Sequence, residues 1–188
     1  MICFVVGQGT NRFMVSEFFH EYMSPQALGQ LRFVDTEYLE TRAWPEARVW
    51  VFIGLDQQPN RAPLVQIESE LRTAGKIVLN APSRAMPRYE LAKVLAASGM
   101  NMFDVHASDS DPDTWQFPVF ARFRRRHEGT SPLLYNADDI ARVFKQNPVL
   151  GTPEGMIVEF LETKSPVDEL YRKYSVIRIG DHYVPRHI

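Results

Sequence analysis

The run Ile2–Val6 is apolar without interruption and stops at Gly7 and Gly9, which predicts a buried strand entering a turn. Val15, Phe18, Phe19 and Tyr22 follow at i, i+3, i+4 and i+7, so a helix should pack back on that strand. Segments 31–34 and 49–53 read as two further short strands. Leu64, Ile67, Leu71 and Ala74 form a second helical stripe, closed by Gly75 in the position that favours a left-handed residue. Segment 76–79 supplies a fourth strand. Strands that alternate with helices imply a parallel sheet with right-handed crossovers, so residues 1–82 are expected to form a small α/β layer.

The pattern changes beyond Asn80. Pro87 suits the first turn of a helix whose inner face would be Leu91, Val94 and Leu95, and Gly99 ends it. Segment 101–107 should be extended, and 108–114 is an acidic, turn-rich loop. A strand over 117–123 leads into a polar loop over 124–132. Asn136 caps a helix with Ile140, Val143 and Phe144 as its core residues and Asp138 and Asp139 at its positive end. Segment 155–161 is a strand, and 174–179 and 182–188 flank Gly180-Asp181 as a hairpin. Residues 83–188 are thus α+β, and they end in an uncovered strand.

Apolar residues make up 45% of the 188 positions and charged residues 23%, ordinary globular values that exclude disordered and low-complexity classes. The longest apolar stretches fall far short of the roughly 20 residues a membrane span needs. The start has no basic segment ahead of its apolar run, so it does not read as a signal peptide. The one cysteine, Cys3, lies within a strand and reads as a buried structural thiol; a cytoplasmic protein is expected. A net charge of -2 gives no general affinity for nucleic acid. The charge is uneven, however, because Arg122, Arg124, Arg125, Arg126 and His127 form a dense basic run.

Chemistry is sparse elsewhere. Gly7-Gln8-Gly9-Thr10-Asn11-Arg12 lacks the third glycine of a dinucleotide fingerprint. His20, His106, His127, His182 and His187 include no pair at metal-binding i, i+4 spacing. No nucleophile elbow is present either. On the strand over 117–123, Val119 and Ala121 share one face, while Phe120, Arg122 and Arg124 share the other. A guanidinium at the end of an apolar strand cannot discard its charge, so it calls for an anion or a carboxylate. The loop after it, ending in His127-Glu128-Gly129, is rich enough in donors to wrap a phosphate.

The ordered set of a helix ending at Gly99, the strand FPVFAR, a polar loop containing HEG, a helix, then GMIVEFLET and YRKYSVIRIGDHYVPRHI resembles the nucleotide-binding part of the ATP-grasp superfamily. It spans about residues 80–188, and residues 1–82 resemble the Rossmann-like layer that often precedes such a module. The expected fold class is therefore α/β, a small parallel-sheet N-terminal layer (1–82) followed by an incomplete α+β ATP-grasp-like module (83–188). The resemblance implies that Arg122 is the strand cation facing the phosphates of ATP and that Arg88 is a second cation at a helix start. Both are arginines where the family usually has lysines, which alters the geometry of phosphate recognition.

The resemblance further implies that His127 and Gly129 belong to a phosphate lid. Glu159, with the backbone of Phe160 and Leu161, would meet the adenine edge, and Glu162 would reach the ribose. A basic residue often stands where this chain has Ser175, with Lys173 and Arg178 as the nearby substitutes. Magnesium ligands would come from carboxylates and an Asn downstream of the hairpin, so the chain as given is expected to be incomplete for catalysis. The implied activity of an intact relative is ATP-dependent joining of a carboxylate to an amine or thiol through an acyl-phosphate. The implied partners are a nucleotide and a small carboxylate, with no nucleic acid or membrane and with room for a homo-oligomer. The competing expectation is a non-enzymatic interaction protein that keeps the scaffold and pairs through its open final strand.

Overall fold

Strand β1 (Ile2–Val6) lies inside a four-strand parallel sheet of order β2-β1-β3-β4, with β2 at Leu31–Asp35, β3 at Val49–Ile53 and β4 at Ile77–Leu79. The computed structural model describes residues 1–6, 17, 19–41, 43–58, 60–126, 131–171 and 174–187. Cys3 stands opposite Trp50, and Val5 opposite Phe52, so one face of the sheet carries a row of large apolar side chains. Helix α3 (Ala62–Thr73) crosses from β3 to β4 and buries Leu64, Ile67 and Leu71 against that row. Full burial of such side chains stabilises by about 1.5–3 kcal/mol each. On the other face Phe4, Phe19 and Phe33 pack at centroid distances of 5.1, 5.3 and 5.9 Å.

Gly75 at φ +71° ends α3: its N–H donates to Arg72 O, and Lys76 N–H donates to Leu71 O. Of the helix predicted from Val15, Phe18, Phe19 and Tyr22, residues 17 and 19–22 are helical. The remainder, with the Gly7–Gly9 loop, lies outside the described residues. No apolar repeat marks the short helices α1 (Pro25–Leu28) and α2 (Thr36–Glu40), and the sequence reading has no counterpart for them.

The second sheet is antiparallel, with order β5-β7-β6 and strands β5 (Val105–Ala107), β6 (Val119–Phe123) and β7 (Gly155–Glu159). Val119, Ala121, Phe123 and Ile157 face a core closed by Ile140 of helix α5 (Ala137–Gln146) and by Trp115, Leu134 and Leu150. Asn136 caps α5, its Oδ1 accepting from Asp139 N–H at 3.0 Å. Replacing Asn136 with Ala is expected to lower unfolding stability by about 1 kcal/mol, measurable by urea denaturation. A third sheet is the hairpin of β8 (Tyr174–Ile179) and β9 (His182–His187), turning at Gly180 with φ +60°.

Helix α4 (Arg88–Ala97) departs from the expectation. Leu91 is 43% and Val94 52% exposed rather than turned inward. Polar ties hold this helix instead: Arg88 to Arg126 O, Tyr89 to Arg124, and Lys93 to Asp104. Segment 101–107 is likewise strand only at Val105–Ala107, because Met100 and Asn101 both donate to Leu95 O and so belong to the end of α4.

Candidate functional site

The pleat of β6 decides what faces the basic site. Val119 and Ala121 are wholly buried in the core, which leaves Phe120 and Arg122 half-buried on the opposite face. Across the ladder Arg122 pairs with Met156, and Phe120 stacks edge-on against Phe160 at 5.9 Å. Partial burial and then the like charge of Arg88 hold the Arg122 guanidinium below its usual basicity. Arg88 and Arg122 are thus brought together from positions far apart in the chain. Among the described residues, no hydrogen bond or ion pair engages the Arg122 side chain.

Arg88 opens α4, at the helix end where a cation meets an unfavourable dipole. Its Nη1 donates to Arg126 O at 3.3 Å, and its Nη2 lies 3.9 Å from Asp56 Oδ2. Arg124, Arg125 and Arg126 are committed locally. Arg124 Nε donates to Gly155 O at 2.9 Å, and its guanidinium stacks 3.9 Å from the Tyr89 ring centroid. Arg126 lies over Phe123 at 4.9 Å, and Arg125 pairs with Glu154 at 3.5 Å. Among the described arginines of the run, Arg122 is the half-buried one that has no hydrogen bond or ion pair of its own and whose guanidinium feels the like charge of Arg88.

Glu159 is the last residue of β7 and is buried. Its side chain shares a face with Ile157 and Val119, not with Arg122. Its carboxylate accepts from Asp104 N–H at 2.9 Å and Gln116 N–H at 3.1 Å, and pairs with His106 Nε2 at 2.9 Å. The carboxylate is therefore spoken for by structure, beside a cleft of about 320 Å³ that Lys93, Asn101, Asp104 and Gln116 also line. Phe160 N–H donates to Pro118 O, so Phe160 offers its carbonyl and its ring rather than its amide. Leu161 follows half-buried. Glu162 is exposed and accepts from Lys164 N–H and Tyr171 Oη, which ties it into its own loop.

His127 and Gly129 lie outside the described residues, as does Lys173. Arg178 serves the hairpin turn, donating to Gly180 O and reaching Asp181 at 3.6 Å. Among the described residues, no three His, Cys, Asp or Glu side chains gather into a set able to hold a metal, so none here is assigned to magnesium. Asp56 is the residue that sequence reasoning missed. It sits in the turn Leu55–Gln57 after β3, where nothing local distinguishes it from any loop aspartate.

The comparisons add the architecture. No protein-family model matches the chain, and no curated protein matches it. Among solved structures it is similar to the D-alanine–D-alanine ligase from Bacillus anthracis, with a TM-score of 0.53 and 10% identity over 100% of this chain and 71% of that one. A likeness at this identity carries the fold: a mixed α/β chain, a parallel four-strand sheet followed by antiparallel sheets, in an ATP-grasp-like α+β arrangement. No helix among the described residues is long and apolar enough to cross a membrane.

Proposed function

We propose that this chain binds ATP on a ligase-like scaffold, with Arg88 and Arg122 receiving the phosphates. The observation that carries the reading is the half-buried Arg122, set beside a second arginine and unengaged among the described residues. Two like charges in partial burial are stabilised when a polyanion enters between them. Phe120 and Phe160, on the same face, offer an apolar platform to a base. Glu159 has no part in adenine contact in this reading, because its carboxylate already serves three donors.

ATP would supply the phosphoryl group that activates a carboxylate toward an amine or thiol, the class of chemistry expected of an ATP-grasp ligase. The similar solved structure is by its name a ligase of D-alanine, which supports a small carboxylate as co-substrate here without naming it. The described residues contribute phosphate positioning, and no turnover is assigned to them. The division at 82/83 belongs to the same reading, supported by two apolar clusters that lie within residues 3–78 and 115–157. So does a cytoplasmic location, supported by a sole, buried cysteine, Cys3, which leaves these 188 residues without an internal disulfide.

Titration calorimetry with magnesium and ATP tests the reading. Arg122→Ala is expected to weaken binding at least about ten-fold, as befits loss of a hydrogen bond to a charged group. Arg122→Lys should recover part of that loss. Equal affinities for wild type and Arg122→Ala, or no binding by the wild type, would overturn the assignment.

The second reading is an interaction protein. It is favoured by the β8–β9 sheet, a two-strand hairpin of a kind seldom stable alone, on which Val176 is 62% and Tyr183 64% exposed. Concentration-dependent self-association without nucleotide affinity would select it.

A further inference from the structure

Asp56 lies in the turn after β3 and Arg88 opens α4, yet their charged ends meet at 3.9 Å. That separation exceeds hydrogen-bond distance, so the pair attracts without a directed bond. The bond from Arg88 to Arg126 O is also long at 3.3 Å. A phosphate oxygen bound to a guanidinium sits at about 2.7–2.9 Å and forms a stronger, charge-assisted bond than either.

We propose that Asp56 is an internal counter-ion of this site, a positioning residue that competes with ligand phosphate for Arg88 and thereby sets the site's affinity for polyphosphates. The inference rests on the phosphate reading above and adds to it the residue that opposes binding. When the site is empty, the Asp56 carboxylate offsets part of the repulsion between Arg88 and Arg122. When a polyphosphate enters, Arg88 exchanges the carboxylate for a phosphate oxygen, and this link between the Leu55–Gln57 turn and α4 is given up. Because that turn follows β3, occupancy of the basic site is transmitted to the carboxyl edge of the parallel sheet. Asp56 is 41% exposed at its side chain, so its replacement leaves both cores intact.

The test is calorimetric titration of the full chain with inorganic tripolyphosphate. Asp56→Asn should bind roughly two- to five-fold more tightly than wild type, the range set by an exposed ion pair. Asp56→Glu, which restores the charge, should return affinity toward wild type. A gain in affinity cannot arise from a damaged fold. Wild-type binding abolished by Arg122→Ala but unchanged or weakened by Asp56→Asn would overturn the role of Asp56 and leave the phosphate reading standing. Binding that ignores Arg122→Ala would overturn both.

Discussion

Replacing Glu159 with Ala should cost the fold about 3–5 kcal/mol, the range for breaking a buried, hydrogen-bonded charged group. That is a large share of the roughly 5–15 kcal/mol that holds a typical domain. The cost arises because the side chain is only 8% exposed and because three donors converge on it. Without it the N–H groups of Asp104 and Gln116 and the ring of His106 lose their acceptor together. Burial pushes the Glu159 carboxyl upward, but the bonds from Asp104, His106 and Gln116 outweigh it and leave the group below its ordinary range.

A depressed folded-state pKa stabilises above the unfolded value, near about 4.3 for Glu, and that contribution fades as pH falls through the folded value. Asp104 behaves alike: burial raises its carboxyl, and Lys93 at 2.7 Å, the Val105 N–H and the charge of His106 together more than reverse the effect. Denaturant unfolding of wild type and Glu159→Gln at neutral and acidic pH checks this. The gap between them should be widest at neutral pH and shrink in acid. A gap that does not change with pH would remove the electrostatic account.

Gly155→Ala is expected to be nearly as damaging. A Cβ on Gly155 would stand 1.9 Å from Leu150 O and 2.6 Å from Ser108 Oγ. The nearer obstacle is backbone and cannot rotate away, so β7 or the turn before it must shift. Overpacking of this kind costs about 1–3 kcal/mol and occasionally more, and the backbone clash places it at the upper end. For a chain of this size about 3 kcal/mol lowers Tm by roughly 6–12 °C. Because β7 is the middle strand and Gly155 O anchors Arg124, the shift should also disturb the basic run. Calorimetric melting settles the first effect, and a Tm within a degree of wild type would refute it.

What the sequence made legible follows from the range over which each feature is encoded. Val49–Ile53 is a strand with the predicted ends because its apolar run and its flanking breaks are local. Gly75 and Gly99 mark helix ends for the same reason: each adopts a left-handed φ that only its own position requires. The two faces of β6 were likewise readable from alternation alone. α4 was not, because a stripe of Leu91 and Val94 says which residues share a face but not whether anything covers it. Glu159 and Asp56 depend on partners distant in the chain, His106 and Arg88, and no window of sequence contains both members of either pair. Glu159 joins its own strand to the segments of Asp104 and Gln116, a role that only the assembled fold reveals.

The order β2-β1-β3-β4 has a consequence for how the protein is made. β1 needs neighbours on both edges, β2 and β3, and the later of these is complete only at Ile53. At about 5–20 residues per second, the nascent Ile2–Val6 segment waits seconds between its own synthesis and that of its second neighbour. Throughout that interval at least one edge of an apolar pentapeptide stays open, a template on which a foreign strand could pair.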